Sequence, residues 1–287
     1  MVTWSFLVEA ERRMSIKLTG RGGRRDPMVG SRGGASATLD GIEEGDLTAK
    51  PGPRAMGSSP EVFRQVLAHL ARGPERTVLD APAGHGALAS LLADRGYDVR
   101  ACDILPELFE AGGVECLAGN LNERLPYDDG SFDAVTSCNG IHRVVSVGHS
   151  ISEYARVLRP GGRLFITVPN FTKLSRRIRF LLYGVSSWAA VRSANEVDDP
   201  EAHHRRPVSL TEILIGLQAA GLELRGVRGL GLRASGVFLV PLALPVRLWV
   251  LSCPAQKRRK YFLEQTASLP ALLSDFHFIE ARKPGLA

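Results

Sequence analysis

A glycine-rich turn between two acidic residues is the part of this sequence best suited to binding chemistry. Asp80, Gly84 and Gly86 follow a short apolar run. Glycine lets the backbone approach a ligand closely, and the start of the helix predicted after the turn favours polar or anionic groups. Asp103 ends the next predicted strand, where its carboxylate can accept hydrogen bonds from both hydroxyls of a ribose. These residues predict a nucleoside-binding site.

The glycine spacing alone leaves two kinds of nucleoside ligand open. Gly84, Gly86 and Ala89 also satisfy the GxGxx(G/A) pattern of dinucleotide-binding proteins. Asp80 argues against a dinucleotide, because a carboxylate before the glycines would repel a pyrophosphate. The same carboxylate could bind a cationic amino group, so Asp80 favours a nucleoside that carries one.

The elements that must hold these residues alternate along the chain. Short apolar runs are separated by segments of helical periodicity, which predicts a parallel sheet with helices on both faces. The predicted strands and helices are Thr77 to Asp80, Ala87 to Arg95, Asp98 to Asp103, Val114 to Ala118, Phe132 to Cys138, Ile151 to Leu158, Arg163 to Val168, Ser209 to Ala220, Leu222 to Val227 and Phe276 to Ala281. A first helix is predicted from Ser58, which has capping-box spacing to Glu61.

Two further motifs complete a recognisable set. Gly119 and Asn120 close the third strand, and a Leu-Arg-Pro-Gly-Gly turn over 158–162 leads into the fifth. With the acidic and glycine-rich motifs, they resemble the class I S-adenosylmethionine-dependent methyltransferases of the type 11 kind. The resemblance covers about 58–170 and resumes weakly up to Gly221. It implies an α/β fold with a Rossmann-like, seven-stranded, mostly parallel sheet and helices on both faces. The segments outside this core predict a partly helical cap in addition.

The resemblance also implies which residues bind S-adenosylmethionine. Asp80, Gly84 and Gly86 match the loop at the methionine end, and Asp103 matches the ribose ligand. Asn120 matches the position that contacts adenine. The neighbours of these residues complete the predicted cofactor-binding set: Ala81, Ile104, Leu121 and Asn139.

The sequence departs from the family pattern at two places. Pro82 stands where the family usually has its first glycine, which fixes φ and removes a backbone donor. Ile141 replaces the acid of the Leu-Glu-His run that commonly follows strand four. A metal or acid/base role resting on that acid is therefore not carried over, and no metal site is predicted.

Histidines are the candidate catalytic residues. A base is needed only for a protonated acceptor, and His142, after strand four, and His204, in a polar loop, are the two candidates. The structural alternatives are a helix-entry histidine for His142 and a hinge or loop contact for His204. We expect His85 to be an exposed loop residue that touches the cofactor through its backbone only.

The domain organisation follows from composition. Residues 1–55 are predicted to be a disordered Gly/Arg-rich tail, because they lack a sustained apolar period. A cofactor-binding core over 56–170 is followed by a cap insertion (171–206), a continuation of the core (207–230), an apolar and basic cap insertion (231–274) and a last strand with the C-terminus (275–287).

Both insertions carry apolar residues beside basic ones, which favours a small-molecule or lipid-like acceptor or peripheral contact with a membrane. A packed cap or a homodimer interface would explain the same residues. Nucleic acid is disfavoured because Ser137 to Gly140 lack the proline-containing run of base-modifying methyltransferases. An NAD-dependent oxidoreductase and a non-catalytic binding module of the same fold remain the alternatives from other classes.

Composition limits the remaining possibilities. The chain has 36 Lys and Arg against 30 Asp and Glu, a net charge of +6, and basic clusters of this kind are commonly solvated. The four cysteines are scattered, so neither disulfides nor zinc are predicted. With no apolar run of about eighteen residues and no signal peptide pattern, we expect a cytoplasmic protein.

Overall fold

The computed structural model describes residues 60–185, 206–232, 236 and 238–285. The predicted tail, the capping residue Ser58 and His204 lie outside these residues. The strands are β1 Thr77–Asp80, β2 Asp98–Asp103, β3 Glu115–Ala118, β4 Phe132–Cys138, β5 Leu158–Pro169, β6 Glu223–Leu230 and β7 Phe276–Arg282. The helices are α1 Pro60–Leu70, α2 Ala87–Ala93, α3 Val147–Val157, α4 Leu174–Tyr183, α5 Leu210–Ala219, α6 Val240–Ser252, α7 Ala255–Lys260, α8 Leu263–Thr266 and α9 Leu269–Leu273.

All seven strands form one sheet in the order β3-β2-β1-β4-β5-β7-β6. The pairs from β3 to β5 are parallel, and β7 runs antiparallel to both of its neighbours. The order reverses between β1 and β4, which is where ligands bind in open sheets of this kind. The predicted Rossmann-like, mostly parallel seven-stranded sheet is confirmed.

Each face of the sheet buries one layer of the core. Ile166 and Ile279 pack on one face with Tyr154 of α3. Phe165 and Phe278 pack on the other, against α1. Because successive side chains of a strand point to opposite faces, residues adjacent in sequence contribute to different layers.

The predicted boundaries of β1, β2 and β4 agree with the structure, and the ends of the helices differ more. Helix α3 begins at Val147, four residues before the predicted start, because the Ser146 hydroxyl accepts a hydrogen bond from the His149 N–H and caps it. The predicted 158–162 turn lies within the bounds of β5, as an irregularity with Gly161 at φ +82°. Helix α5 is capped by Ser209, where the sequence predicted its start.

A small helical cap is formed by α4, which follows β5, and by helices between β6 and β7. Leu174 of α4, Ala243 of α6 and Leu272 of α9 share an apolar cluster. The partly helical cap predicted from the two insertions is therefore present in the described residues. Within those residues, none of the helices has the length and apolar character needed to span a membrane.

Candidate functional site

The candidate site is formed where β1, β2 and β4 end at the same edge of the sheet. Asp80 pairs with Ala101 of β2 and Thr136 of β4, so the ends of the three strands lie side by side. Asp103, the last residue of β2, is held beside the turn that follows β1. The structure thus brings together the two carboxylates that the sequence singled out.

Asp80 is a buried carboxylate of which one oxygen accepts no hydrogen bond among the described residues. Its side chain is 1% exposed, and Oδ1 accepts a hydrogen bond of 2.8 Å from the Thr136 hydroxyl. Oδ2 is buried and has no hydrogen bond among the described residues. The pKa of Asp80 is raised to about 7, chiefly because the carboxyl is buried; the Thr136 hydroxyl opposes the rise, the nearby carboxylate of Asp103 adds to it, and the Ala89 backbone N–H opposes it. A cationic donor would satisfy this oxygen, which fits the amino end of S-adenosylmethionine.

The turn after β1 depends on glycine for two different reasons. Gly86 has φ +85°, and a Cβ there would lie 2.6 Å from Phe109 Cε2, so the position is crowded as well as left-handed. Gly84 has φ +56°, but a Cβ would meet nothing within 4 Å. The turn is therefore packed against the protein at Gly86 and open at Gly84, where a ligand can approach the backbone.

Asp103 holds the site together. Its Oδ2 accepts from the Gly84 N–H at 2.8 Å and its Oδ1 from the Leu105 N–H at 3.1 Å. A carboxylate has about four acceptor positions, so two remain for the hydroxyls of a ribose. The next residue, Ile104, is 63% exposed, which leaves an apolar side chain available to contact a nucleoside base.

The other predicted cofactor-binding residues lie around this edge, in different environments. Asn120 forms a local turn, in which its Oδ1 accepts from the Asn122 N–H at 3.0 Å. Leu121 and Ala81 are buried in the core, so a ligand would meet them through their backbone. Asn139 follows β4 with φ +54°, and its N–H donates to the Thr167 carbonyl at 3.0 Å. The cofactor roles of these four residues stay predictions.

The two departures from the family pattern are packed near each other. Pro82 lies against Gly140, where an added Cβ would come within 2.1 Å of Pro82 Cδ. The ring that replaces a glycine after β1 is therefore accommodated by a glycine after β4. Ile141, the residue in place of the family's acid, is fully buried in the core.

The predictions for the three histidines compare differently with the structure. His142 is buried, its ring centroid lies 5.7 Å from that of Phe171, and its carbonyl accepts from the Arg206 N–H. It lies beyond the end of β4, where a base for the acceptor was predicted, and that role stays a prediction. His204 lies outside the described residues. The expectation that His85 is exposed is wrong: it is 7% exposed, because its ring packs beside Glu110, with Nδ1 3.1 Å from Oε1.

Two supporting residues were not found by the sequence analysis. Thr136 binds Asp80, and the fully buried Tyr154 donates its hydroxyl to the Ala81 carbonyl at 2.9 Å. Tyr154 thereby fixes the backbone just before the glycine turn. Its apolar spacing on α3 signalled a core position, whereas its hydrogen bond depends on how α3 packs across the sheet.

Comparisons with known proteins agree with this geometry. Residues 79–166 match the family described as "Methyltransferase domain" (Methyltransf_11). A demethylmenaquinone methyltransferase of Beutenbergia cavernae is 41% identical over 108 residues, which cover 36% of this chain and 45% of that protein. An uncharacterised methyltransferase of Mycobacterium tuberculosis is 44% identical over 94 residues, covering 31% and 38%. The chain thus spans less than half the length of these curated relatives.

A solved structure extends the likeness of fold beyond the matched segment. The YcgJ protein of Bacillus subtilis superposes with a TM-score of 0.50 at 18% identity, over 78% of this chain and 99% of that one. At this identity the likeness concerns the fold alone. The resemblance that the motifs indicated is confirmed by the family match, in which residues 79–166 are similar to a methyltransferase domain.

Proposed function

We propose that this protein transfers a methyl group from S-adenosylmethionine to a small-molecule or lipid-like acceptor. The observation that carries the proposal is the buried Oδ2 of Asp80, which has no hydrogen bond among the described residues and lies at the end of β1. An unsatisfied carboxylate oxygen is costly inside a protein unless a ligand pairs with it. S-adenosylmethionine carries an ammonium group of the kind that such an oxygen would bind.

The binding residues divide by the part of the cofactor that they would hold. Asp80 and the turn at Gly84 and Gly86 would hold the methionine end. Asp103 would accept from the ribose, with Ile104 and Asn120 at the base. Ala81, Leu121 and Asn139 would complete the pocket. When bound, S-adenosylmethionine supplies an electrophilic methyl group on its sulfonium.

The protein's contribution to such a displacement is positioning and exclusion of water. His142 is buried beyond the end of β4 and in contact with Phe171, so it can hold an acceptor or remove its proton in a dry environment. His204 stays a second candidate for that role. Neither histidine is needed as a base for an acceptor that is already deprotonated.

Two observations support an apolar acceptor. Relatives that match the core are named demethylmenaquinone methyltransferases, and the cap carries exposed apolar side chains. A quinol or a similar lipid-like phenol would suit both. Nucleic acid stays a disfavoured acceptor, and a homodimer and a cytoplasmic location stay predictions.

The proposal is tested by following S-adenosylhomocysteine formation in the full-length chain. A panel of quinols, phenols and membrane lipid extract is offered with S-adenosylmethionine, and Asp103→Ala serves as the control with an impaired site. We expect acceptor-dependent product with wild type and little with the variant. If wild type binds the cofactor yet methylates nothing across the panel, the protein is a binding module and the proposal fails.

A further inference from the structure

Exposed apolar side chains are more concentrated on the cap than on the core. In the described residues, eleven of the fifteen exposed large apolar side chains belong to α4, α6 and the residues adjoining α6 and α7. The other four are scattered elsewhere: Ile104, Val145, Ile215 and Leu232. Scattered exposed apolar residues are normal, whereas a concentration of them marks an interaction surface.

Helix α6 is apolar on both of its sides. Ala243 and Val250 face the cap's interior and are buried. At 100° per residue, the opposite side of the helix presents five exposed residues, which we call the apolar cap face. They are Leu242, Leu244, Leu248, Trp249 and Leu251, and Leu248 and Trp249 are each 64% exposed. A helix that is apolar all round is expected to be covered on all sides.

A cationic helix is fixed beside this face. Arg258 of α7 donates to the carbonyls of Leu251 and Cys253, which ties α7 to the end of α6, and it pairs with Glu264 at 2.9 Å. The other three basic residues of α7 have no ion pair among the described residues: Lys257, Arg259 and Lys260. The sequence from Val240 to Lys260 contains no acidic residue.

The apolar cap face and its unpaired cations fit one kind of occupant. We propose that α6 and α7 bind the surface of an anionic lipid bilayer, with the apolar cap face in the boundary region and Lys257, Arg259 and Lys260 against the headgroups. With 13 residues, α6 is about 20 Å long, too short to cross a bilayer but suited to lying in its plane. Trp249 and Tyr261 are of the type enriched at such boundaries.

A second copy of this chain fits the same surface less well. A symmetric dimer would bury the same patch on both partners, and the sequence from Val240 to Lys260 offers no acidic residue to pair with the partner's α7 cations. An anionic bilayer instead satisfies the apolar and the cationic parts together. This inference goes beyond the proposed methyl transfer and is measured without cofactor, so the two can fail separately.

The test is sedimentation of the full-length protein with vesicles of phosphatidylcholine alone or of phosphatidylcholine with phosphatidylglycerol. We expect wild type to bind the anionic vesicles. The double variant Leu248→Asp/Trp249→Asp should bind at least about tenfold more weakly, because binding strength follows buried apolar area. In Lys257→Glu/Lys260→Glu, the affinity for anionic vesicles should fall by about twentyfold or more, because each cation near an anionic surface contributes roughly fivefold.

Matched controls separate this surface from general effects. Ile215→Asp changes an exposed apolar residue on α5, and Arg100→Glu/Arg225→Glu makes the same change in net charge on β2 and β6. Both controls should bind like wild type, and the cap variants should unfold at the wild-type temperature because the residues that they change are exposed. The proposal is overturned if wild type stays in the supernatant with anionic vesicles, or if the controls lose as much vesicle binding as the cap variants do. It is also overturned if the cap variants abolish a dimer while vesicle binding is absent.

Discussion

At the scale of single residues, the buried carboxyl of Asp80 gives the protein a specific pH dependence. Its pKa is about 7 in the folded protein and 3.8 ordinarily. Between these values the folded state holds a proton that the unfolded state releases, so the free energy of unfolding falls as the pH rises through this window and stays low above it.

Asp80→Asn should remove this slope, because an amide keeps an acceptor for Thr136 without a charge to bury. Above about pH 7, the free energy of unfolding of the variant should exceed that of wild type by an amount on the order of a few kcal/mol. Urea unfolding over a pH series measures the difference. Parallel profiles for the two proteins would mean that Asp80 is not the buried acid described here.

Asp103 carries a different prediction, about cofactor affinity. Replacing it with alanine removes the acceptor for the ribose and for the N–H groups of Gly84 and Leu105. Hydrogen bonds to a charged group contribute about 1.5–3 kcal/mol each, so affinity for S-adenosylmethionine should fall by at least about tenfold. Asp98→Ala, at the exposed start of the same strand, should bind like wild type. Unchanged affinity in Asp103→Ala, measured by calorimetry, would place the ribose elsewhere.

Much of the candidate site could be predicted from residue spacing. Asp80 and Asp103 end adjacent parallel strands, so they had to meet at one edge of the sheet. The side chains that contact the site residues could not be predicted. The contact of Thr136 with Asp80 depends on the strand register, and the contact of Glu110 with His85 depends on the conformation of a loop. The wrong expectation for His85 has this cause.

At the scale of elements, the start of α2 depends on Gly86. Gly86→Ala would combine left-handed backbone strain with a clash against Phe109 and Ala111. Left-handed strain alone costs about 1–2 kcal/mol, and overpacking adds about 1–3 kcal/mol. Gly96→Ala is the matched control, since Gly96 has φ +80° with nothing within 4 Å of an added Cβ. Denaturant unfolding should show the larger loss in Gly86→Ala, and equal losses would mean that the turn is not packed as described.

The strands were predicted better than the order in which they pair. Alternating apolar runs gave β1, β2 and β4 to the residue, because each is bounded by polar or glycine-containing turns. The position of β7 between β5 and β6 is a long-range pairing that local pattern does not contain. The separate helices of the cap were not predicted either, since Pro241 and Pro245 interrupt the pattern of α6.

At the scale of the whole molecule, Asn170 joins the cap to the core. It is fully buried at the end of β5, and its amide donates to the carbonyls of Ala271 and Ser274 at 2.8 and 3.0 Å. Asn170→Ala would leave these carbonyls without their donor, a cost of about 1–3 kcal/mol for each buried group.

The expected result is local: amides of α9 should exchange hydrogen faster in Asn170→Ala, while those of β1 to β4 stay as protected as in wild type. Ser252→Ala changes an exposed hydroxyl on the cap and serves as the control. Exchange that is unchanged in α9, or accelerated equally across the sheet, would contradict the role of Asn170 as the link between cap and core.

The central claim is that the edge formed by β1, β2 and β4 binds S-adenosylmethionine. Calorimetric titration of the full-length protein with S-adenosylmethionine, S-adenosylhomocysteine and NAD, in parallel, tests it most directly. We predict micromolar binding of the first two compounds and no binding of NAD, because Asp80 accepts an ammonium group and repels a pyrophosphate. Binding of NAD alone would contradict the account and move the protein to the oxidoreductases.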